Sequence, residues 1–185
     1  GPGMVHAAYS SGKPAIGVGP GNVQVMVDRD VDISEVAEMV VTGRSFDNGV
    51  LCTCEQNVIC PREKKGEMLA ALQSSGAFLV EREEDVNKLR DCVFPGGILN
   101  KDVVGAKPHA IGEMAGLGIP EEARVIVSLT RGYAYDDPLA KEKLFPVLAF
   151  FEYDKWEDAV EIARANLEME GLGHSCVIHS NTKEH

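Results

Sequence analysis

Positive charge, aromatic side chains and long apolar runs are all scarce in this 185-residue chain. Its 18 Lys and Arg face 29 Asp and Glu, a formal net charge of -11, so it lacks the clustered cations that a phosphate backbone requires. Only Arg62, Lys64 and Lys65 come close together, and they read as one solvated helix face. No nucleic-acid partner is expected. No apolar run reaches the roughly 18 residues of a membrane span. The opening Gly1-Pro2-Gly3-Met4-Val5 has no basic region leading into an apolar core, so no signal peptide and no membrane partner are read. Five cysteines is an odd count without the regular spacing of a disulfide framework, which fits reduced thiols and a cytoplasmic location. Internal repeats and low-complexity tracts are missing too.

What is present alternates. The length suits one domain with a real core, and strand-like and helix-like segments follow one another along it. The expected fold class is therefore α/β, a layered domain with a largely parallel sheet flanked by helices. Residues 23–27, 57–60, 78–80, 124–129, 146–153 and 175–179 read as strands. Asp32 and Glu35 stand at capping-box spacing, and Val36, Ala37, Val40 and Val41 share one helical face behind them. Pro61 suits the first turn of a helix that turns Met68, Leu69 and Leu72 inward and stops at Ser74-Ser75-Gly76. Trp156, Ala159, Val160, Ala163 and Leu167 form the clearest apolar stripe, ended by Gly171 and Gly173. Residues 180–185 resemble the start of another helix, so one domain of a longer protein is expected.

Four features could carry chemistry. Gly17-Val18-Gly19-Pro20-Gly21-Asn22 is glycine-rich, but a β-like run follows it, so it lacks the helix N-terminus of a dinucleotide fingerprint. On spacing alone it is a tight loop that lets backbone pass close to something. Cys52-Thr53-Cys54 admits a metal pair, two buried thiols, or one catalytic thiol with a bystander. A tetrahedral metal site needs four ligands, usually in two close pairs, and Cys60, Cys92 and Cys176 are single, so no metal is expected. In an extended segment Cys52 and Cys54 point the same way; a turn changes that. Asp47-Asn48-Gly49 supplies such a turn and favours Cys52 slightly as the accessible thiol. Glu142, in a Lys-Glu-Lys patch, reads as a surface residue by default, and His174, in a Gly-Leu-Gly-His turn, as a hydrogen-bonded structural histidine.

Longer motifs then separate these alternatives. They are Ala7-Ala8-Tyr9-Ser10-Ser11-Gly12-Lys13-Pro14-Ala15-Ile16 running into the glycine loop, and Ser45-Phe46-Asp47-Asn48-Gly49-Val50-Leu51-Cys52 with Glu55-Gln56. Val104-Gly105 through Ala115-Gly116, and Gly171-Leu172-Gly173-His174-Ser175 with Val177-Ile178-His179, extend the match over nearly the whole chain. On these residues the chain resembles CoA-acylating aldehyde dehydrogenases, especially the aldehyde dehydrogenase part of bifunctional aldehyde-alcohol dehydrogenases.

The resemblance implies an oxidoreductase that converts an aldehyde and CoA reversibly to acyl-CoA, with NAD as hydride carrier and coenzyme A as co-substrate. It aligns the catalytic cysteine with Cys52; Cys54 falls where relatives usually carry Ser. Gly17 stands where hydrolytic relatives carry a glutamate base, and Gly17 and Gly19 belong to the loop assigned to the cofactor side. Glu142 matches the glutamate that holds the nicotinamide ribose, although Glu142-Lys143-Leu144-Phe145-Pro146 departs from Glu-x-Phe-Gly-Pro. His174 is placed near acyl transfer. Residues 1–185 are then the cysteine-bearing catalytic domain, with the NAD-binding domain largely absent. The partners are a small aldehyde and CoA, the full-length protein is a homo-oligomer, and this chain alone is inactive. The alternative is a non-catalytic thiol redox-sensing or assembly module.

Overall fold

The computed structural model describes residues 2–185. Helix α1 (Pro2–Ser10) leads through the glycine loop into β1 (Val23–Val27) and α2 (Ile33–Ser45). Then come β2 (Glu55–Pro61), α3 (Lys65–Ser74), β3 (Ala77–Val80), α4 (Glu83–Val93) and α5 (Pro108–Ala115). β4 (Val125–Leu129), β5 (Val147–Tyr153), α6 (Trp156–Met169) and β6 (Cys176–His179) complete the chain. The six strands form one sheet in the order β3-β4-β5-β2-β1-β6, every neighbouring pair parallel. This is the α/β architecture read from the sequence, with the sheet parallel throughout.

Both faces are covered, as a parallel sheet requires. Val25, Val58, Val127 and Leu148 turn to one face, where α2 supplies Val36, Val40 and Val41 and α3 supplies Met68 and Leu72. Met26, Ile59, Ile126 and Ala149 turn to the other, against Leu89 of α4, Ile111 of α5 and Ala163 of α6. Asp32 caps α2 by accepting from the N–H groups of Ser34 and Glu35 at 2.9 and 3.1 Å, worth about 1 kcal/mol.

Some local expectations needed correction. Pro61 ends β2, and a 3-10 turn (Arg62–Lys64) precedes α3. A residue without an N–H fits the last position of a strand as well as the first of a helix. Arg62 and Lys65 do not form a free solvated face. Arg62 pairs with Asp154 at 2.7 Å and Glu152 at 3.0 Å, and Lys65 with Glu152 at 2.6 Å. These pairs sit at the carboxyl ends of β2 and β5, whose following helices leave toward opposite faces. Open parallel sheets usually bind ligands in such a crevice; here ion pairs bridge it. Residues 180–185 form turns pinned to β1's exit, with Ser180 Oγ donating to Asp28 at 2.7 Å and the His185 ring stacked on Trp156 at 4.2 Å.

Candidate active site

The residues singled out in the sequence gather at the opposite, amino-terminal edge of the sheet. Glu142 precedes β5, Cys52 precedes β2, Gly21 and Asn22 precede β1, and His174 precedes β6. These four strands are neighbours in the sheet, so four loops distant in sequence meet at one end.

Cys52 is presented by an unusual turn. After α2 the backbone passes through Asp47 (φ 47°), Asn48 (φ 50°) and Gly49 (φ 70°), three left-handed residues in succession. Asp and Asn tolerate this region better than other side chains. Gly49 has a second reason to lack a side chain: a Cβ there would lie 3.0 Å from the Phe145 carbonyl and 3.1 Å from Arg44 Cζ. The turn throws Leu51 and Cys52 outward and returns the chain into β2. Cys52 is exposed, whereas Cys54 is 5% exposed, its thiol 3.9 Å from the Phe46 carbonyl. Burial pushes the Cys54 thiol up, only partly offset by the charge of Arg44. The extended-segment reading, with both thiols on one side, does not apply; the turn separates them. Burial also pushes the Cys60 thiol up to about 12.

The glycine loop passes close to two different partners. Gly17 donates its N–H to Tyr9 Oη at 2.9 Å, and a Cβ there would come 2.9 Å from Val5 Cγ1 on α1. Gly19 is exposed with nothing within 4 Å of its Cβ position. Gly21 is the glycine that touches the site. A Cβ on it would overlap the Cys52 carbonyl oxygen, and its N–H donates to Glu142 Oε1 at 2.7 Å. Sequence reasoning passed over Gly21; its place beside Asn22 at the start of a buried strand was the available signal.

Glu142 is not at the surface: it is 8% exposed. Burial raises its carboxyl above the usual range, partly offset by the Gly21 N–H, and the charges of Glu170 and His174 are within reach. His174 is half-buried, its Nδ1 2.8 Å from Ser175 Oγ and its N–H donating to the Gly171 carbonyl at 3.2 Å.

Behind these groups lies a buried polar network that sequence reasoning missed. Lys143 is fully buried, and its Nζ donates to Asn57 Oδ1, the Leu139 carbonyl and the Lys141 carbonyl at 3.1, 2.7 and 2.8 Å. Asn57 Nδ2 donates to Asn22 Oδ1 at 2.8 Å and the Ala140 carbonyl at 3.1 Å. Asn166 Nδ2 donates to Gln24 Oε1 at 2.9 Å, which explains why a polar residue occupies the buried face of α6. Glu55-Gln56-Asn57, a polar run opening an apolar strand, was the visible trace of this network.

No family model matches the chain. It is 47% identical over 184 residues to the succinate-semialdehyde dehydrogenase (acetylating) of Clostridium kluyveri, spanning 100% of this chain and 41% of that enzyme. It matches the crystal structure of an acetylating aldehyde dehydrogenase from Geobacillus thermoglucosidasius with a TM-score of 0.92 and 38% identity, over 100% of this chain and 40% of that one. Over its whole length this chain is similar to acylating aldehyde dehydrogenases. It spans about two fifths of the length of these relatives. A further relative, the propionaldehyde dehydrogenase of Rhodopseudomonas palustris, matches with a TM-score of 0.86 and 25% identity over 99% of this chain and 41% of that one. Its crystal structure holds CoA and an acylated cysteine.

Glu142 lines a cavity of 690 Å³ together with Ile98, Leu144, Lys101 and Lys141. Gly21 occupies one Glu142 oxygen; among the described residues the other has no hydrogen-bond partner. Among the described residues no three His, Cys, Asp or Glu side chains gather to hold a metal ion, and no helix is long and apolar enough to cross a membrane.

Proposed function

We propose that, within its whole protein, this chain supplies the cysteine-bearing part of an NAD-dependent, CoA-acylating aldehyde dehydrogenase that works reversibly on a small aldehyde. One observation carries the reading: Cys52 stands exposed on the left-handed turn, while Cys54 is buried with its thiol held protonated. The Cys52 thiolate adds to the aldehyde carbonyl carbon, forming the alkoxide of a thiohemiacetal. Collapse of that alkoxide, with the carbon-bound hydrogen leaving as hydride, gives a thioester on Cys52. The nicotinamide, when bound, supplies the hydride acceptor. The thiolate of CoA then adds to that thioester, and Cys52 leaves as thiolate with acyl-CoA as product.

The other residues take supporting roles in this reading. Among the described residues the Cys52 N–H has no backbone acceptor, so it is free to donate to the oxyanion that develops on the substrate. Glu142 receives a ribose hydroxyl on its free oxygen. His174, next to the same edge, attends the acyl-transfer step. Gly17 offers no side chain to deprotonate a water, and a glutamate placed there would meet Val5. The thioester therefore persists until CoA arrives.

Ile16, Val18 and Leu172 stand exposed around this edge, which supports a further part of the whole protein covering it and the chain alone being inactive. A cytoplasmic, homo-oligomeric full-length enzyme belongs to the same reading, consistent with five free thiols. A redox-sensing role would need a resolving thiol facing Cys52, and Cys54 faces the Phe46 carbonyl instead.

The test uses the full-length protein with aldehyde, CoA and NAD. Cys52→Ser is expected to lower acyl-CoA formation by about three orders of magnitude or more, while Cys54→Ser keeps most of it. The reverse pattern overturns the assignment. Substantial NAD reduction by the isolated chain would overturn the expectation that the chain alone is inactive.

A further inference from the structure

Arg44 takes no part in the chemistry above, yet its guanidinium is fully buried behind the cysteine turn. Burial lowers its pKa to about 10, so it remains charged at neutral pH. Two of its groups, Nε and Nη1, are enclosed without a partner. Leaving such donors unmet costs about 1–3 kcal/mol each, and an orphaned buried group calls for an explanation.

The contacts that Arg44 does make supply one. Its Nη2 donates to the backbone carbonyl of Lys143 at 2.6 Å and to that of Phe145. Gln56, also fully buried, accepts the Lys143 N–H on its Oε1 at 2.9 Å. Arg44 precedes the cysteine turn and Gln56 follows it, and both grip residues 143–145, which directly follow Glu142. We infer that Arg44 and Gln56 are positioning residues, a two-sided clamp that fixes the Cys52 turn against the segment carrying Glu142.

Neighbouring geometry fits this role. Gly49, within the turn, packs on the Phe145 carbonyl and Arg44 Cζ. Glu55 presents the opposing charge within electrostatic reach of Arg44. Its carboxylate lies on Gly43, where a Cβ would overlap it, and one of its oxygens is enclosed without a partner. Gln56, whose purpose the cysteine chemistry leaves open, thus belongs to the clamp, with Glu55 as a nearby opposing charge. On the outer side, Gly21 touches Cys52 and donates to Glu142. The Cys52 turn and Glu142 are joined front and back.

The catalytic consequence rests on the acylating chemistry proposed above; the clamp itself does not. The test therefore pairs kinetics with hydrogen–deuterium exchange on the full-length protein, comparing wild type with Arg44→Met, Arg44→Lys and the milder Gln56→Leu. A misplacement of about 1 Å costs up to about 100-fold in rate. Arg44→Met is expected to lower kcat by at least about tenfold with KM for the aldehyde changed far less, and Arg44→Lys to recover part of the loss. Exchange is expected to rise together in residues 46–54 and 142–145 while β3 and β4 stay protected. Gln56→Leu should give the same paired pattern, weaker. Unchanged exchange in those two segments, or a uniform rise across the protein, overturns the clamp. A wild type without CoA-dependent activity contradicts the proposed function but leaves the exchange result to decide the clamp.

Discussion

At the scale of single residues, what matters most is where a side chain is absent. Gly21 allows one backbone to touch the Cys52 carbonyl and one N–H to reach Glu142. Gly21→Ala would force the Cys52 backbone away, since the added carbon would sit 3.1 Å from the Cys52 carbonyl carbon and overlap its oxygen. We expect kcat of the full-length enzyme to fall by about 100-fold with the folded state retained by circular dichroism. Gly66→Ala, exposed on α3 with open space around it, should behave as wild type. Equal effects of the two substitutions on kcat would show that the contact with Cys52 is unimportant. Gly17 and Gly19 entered through the family resemblance; Gly21 matters because of what it touches, and a single sequence carries no contacts.

At the scale of elements, the site rests on the 3-10 turn Pro138–Ala140, whose carbonyls receive Lys143, Asn57 and Asn22. That turn is held by Asp137, which is fully buried and accepts a paired contact from Arg90 at 2.8 and 2.7 Å as well as the Leu139 and Arg131 N–H groups. Burial alone pushes the Asp137 carboxyl up. The Arg90 and backbone bonds outweigh it and hold the carboxyl below the usual range. Its stabilisation is therefore complete above the ordinary carboxylate pKa of about 3.9 and is lost as pH falls below that, through the folded-state value. Asp137→Asn should cost about 3 kcal/mol or more by leaving Arg90 buried and unpaired. It should also flatten the loss of stability below about pH 4, measured by urea unfolding across pH. A wild-type acid profile in the variant would contradict this assignment.

The elements themselves were legible where periodicity was clean. β1, α2, β4, β5 and α6 followed from apolar spacing, because strand and helix each impose a fixed period on what is buried. α4 was missed: Glu83, Glu84, Asp85, Lys88, Arg90 and Asp91 mask the sparse stripe of Val86, Leu89 and Val93. The buried polar network was illegible for a different reason. Asn22, Asn57 and Lys143 satisfy one another only after three strands have met, and polarity alone marks such residues as surface.

At the scale of the whole molecule, the sheet places its two ends under different chemistry. Ion pairs tie together the carboxyl-end crevice between β2 and β5, while the amino ends of β5, β2, β1 and β6 bring together a free thiol, a buried carboxylate and a histidine. The family motif separated Cys52 from Cys54 in the sequence; the left-handed turn supplies the physical reason for that separation. Because the chain spans about two fifths of its relatives' length, the central claim belongs to the whole protein and is tested there. Full-length enzyme is incubated with a short acyl-CoA in the absence of reduced nucleotide, then digested and mapped by mass spectrometry. The account predicts one acyl group on Cys52, located by fragmentation within the peptide that also carries Cys54, and removed by added free CoA. An acyl group on Cys54 or Cys176, or none on any cysteine while the enzyme remains active, would contradict it.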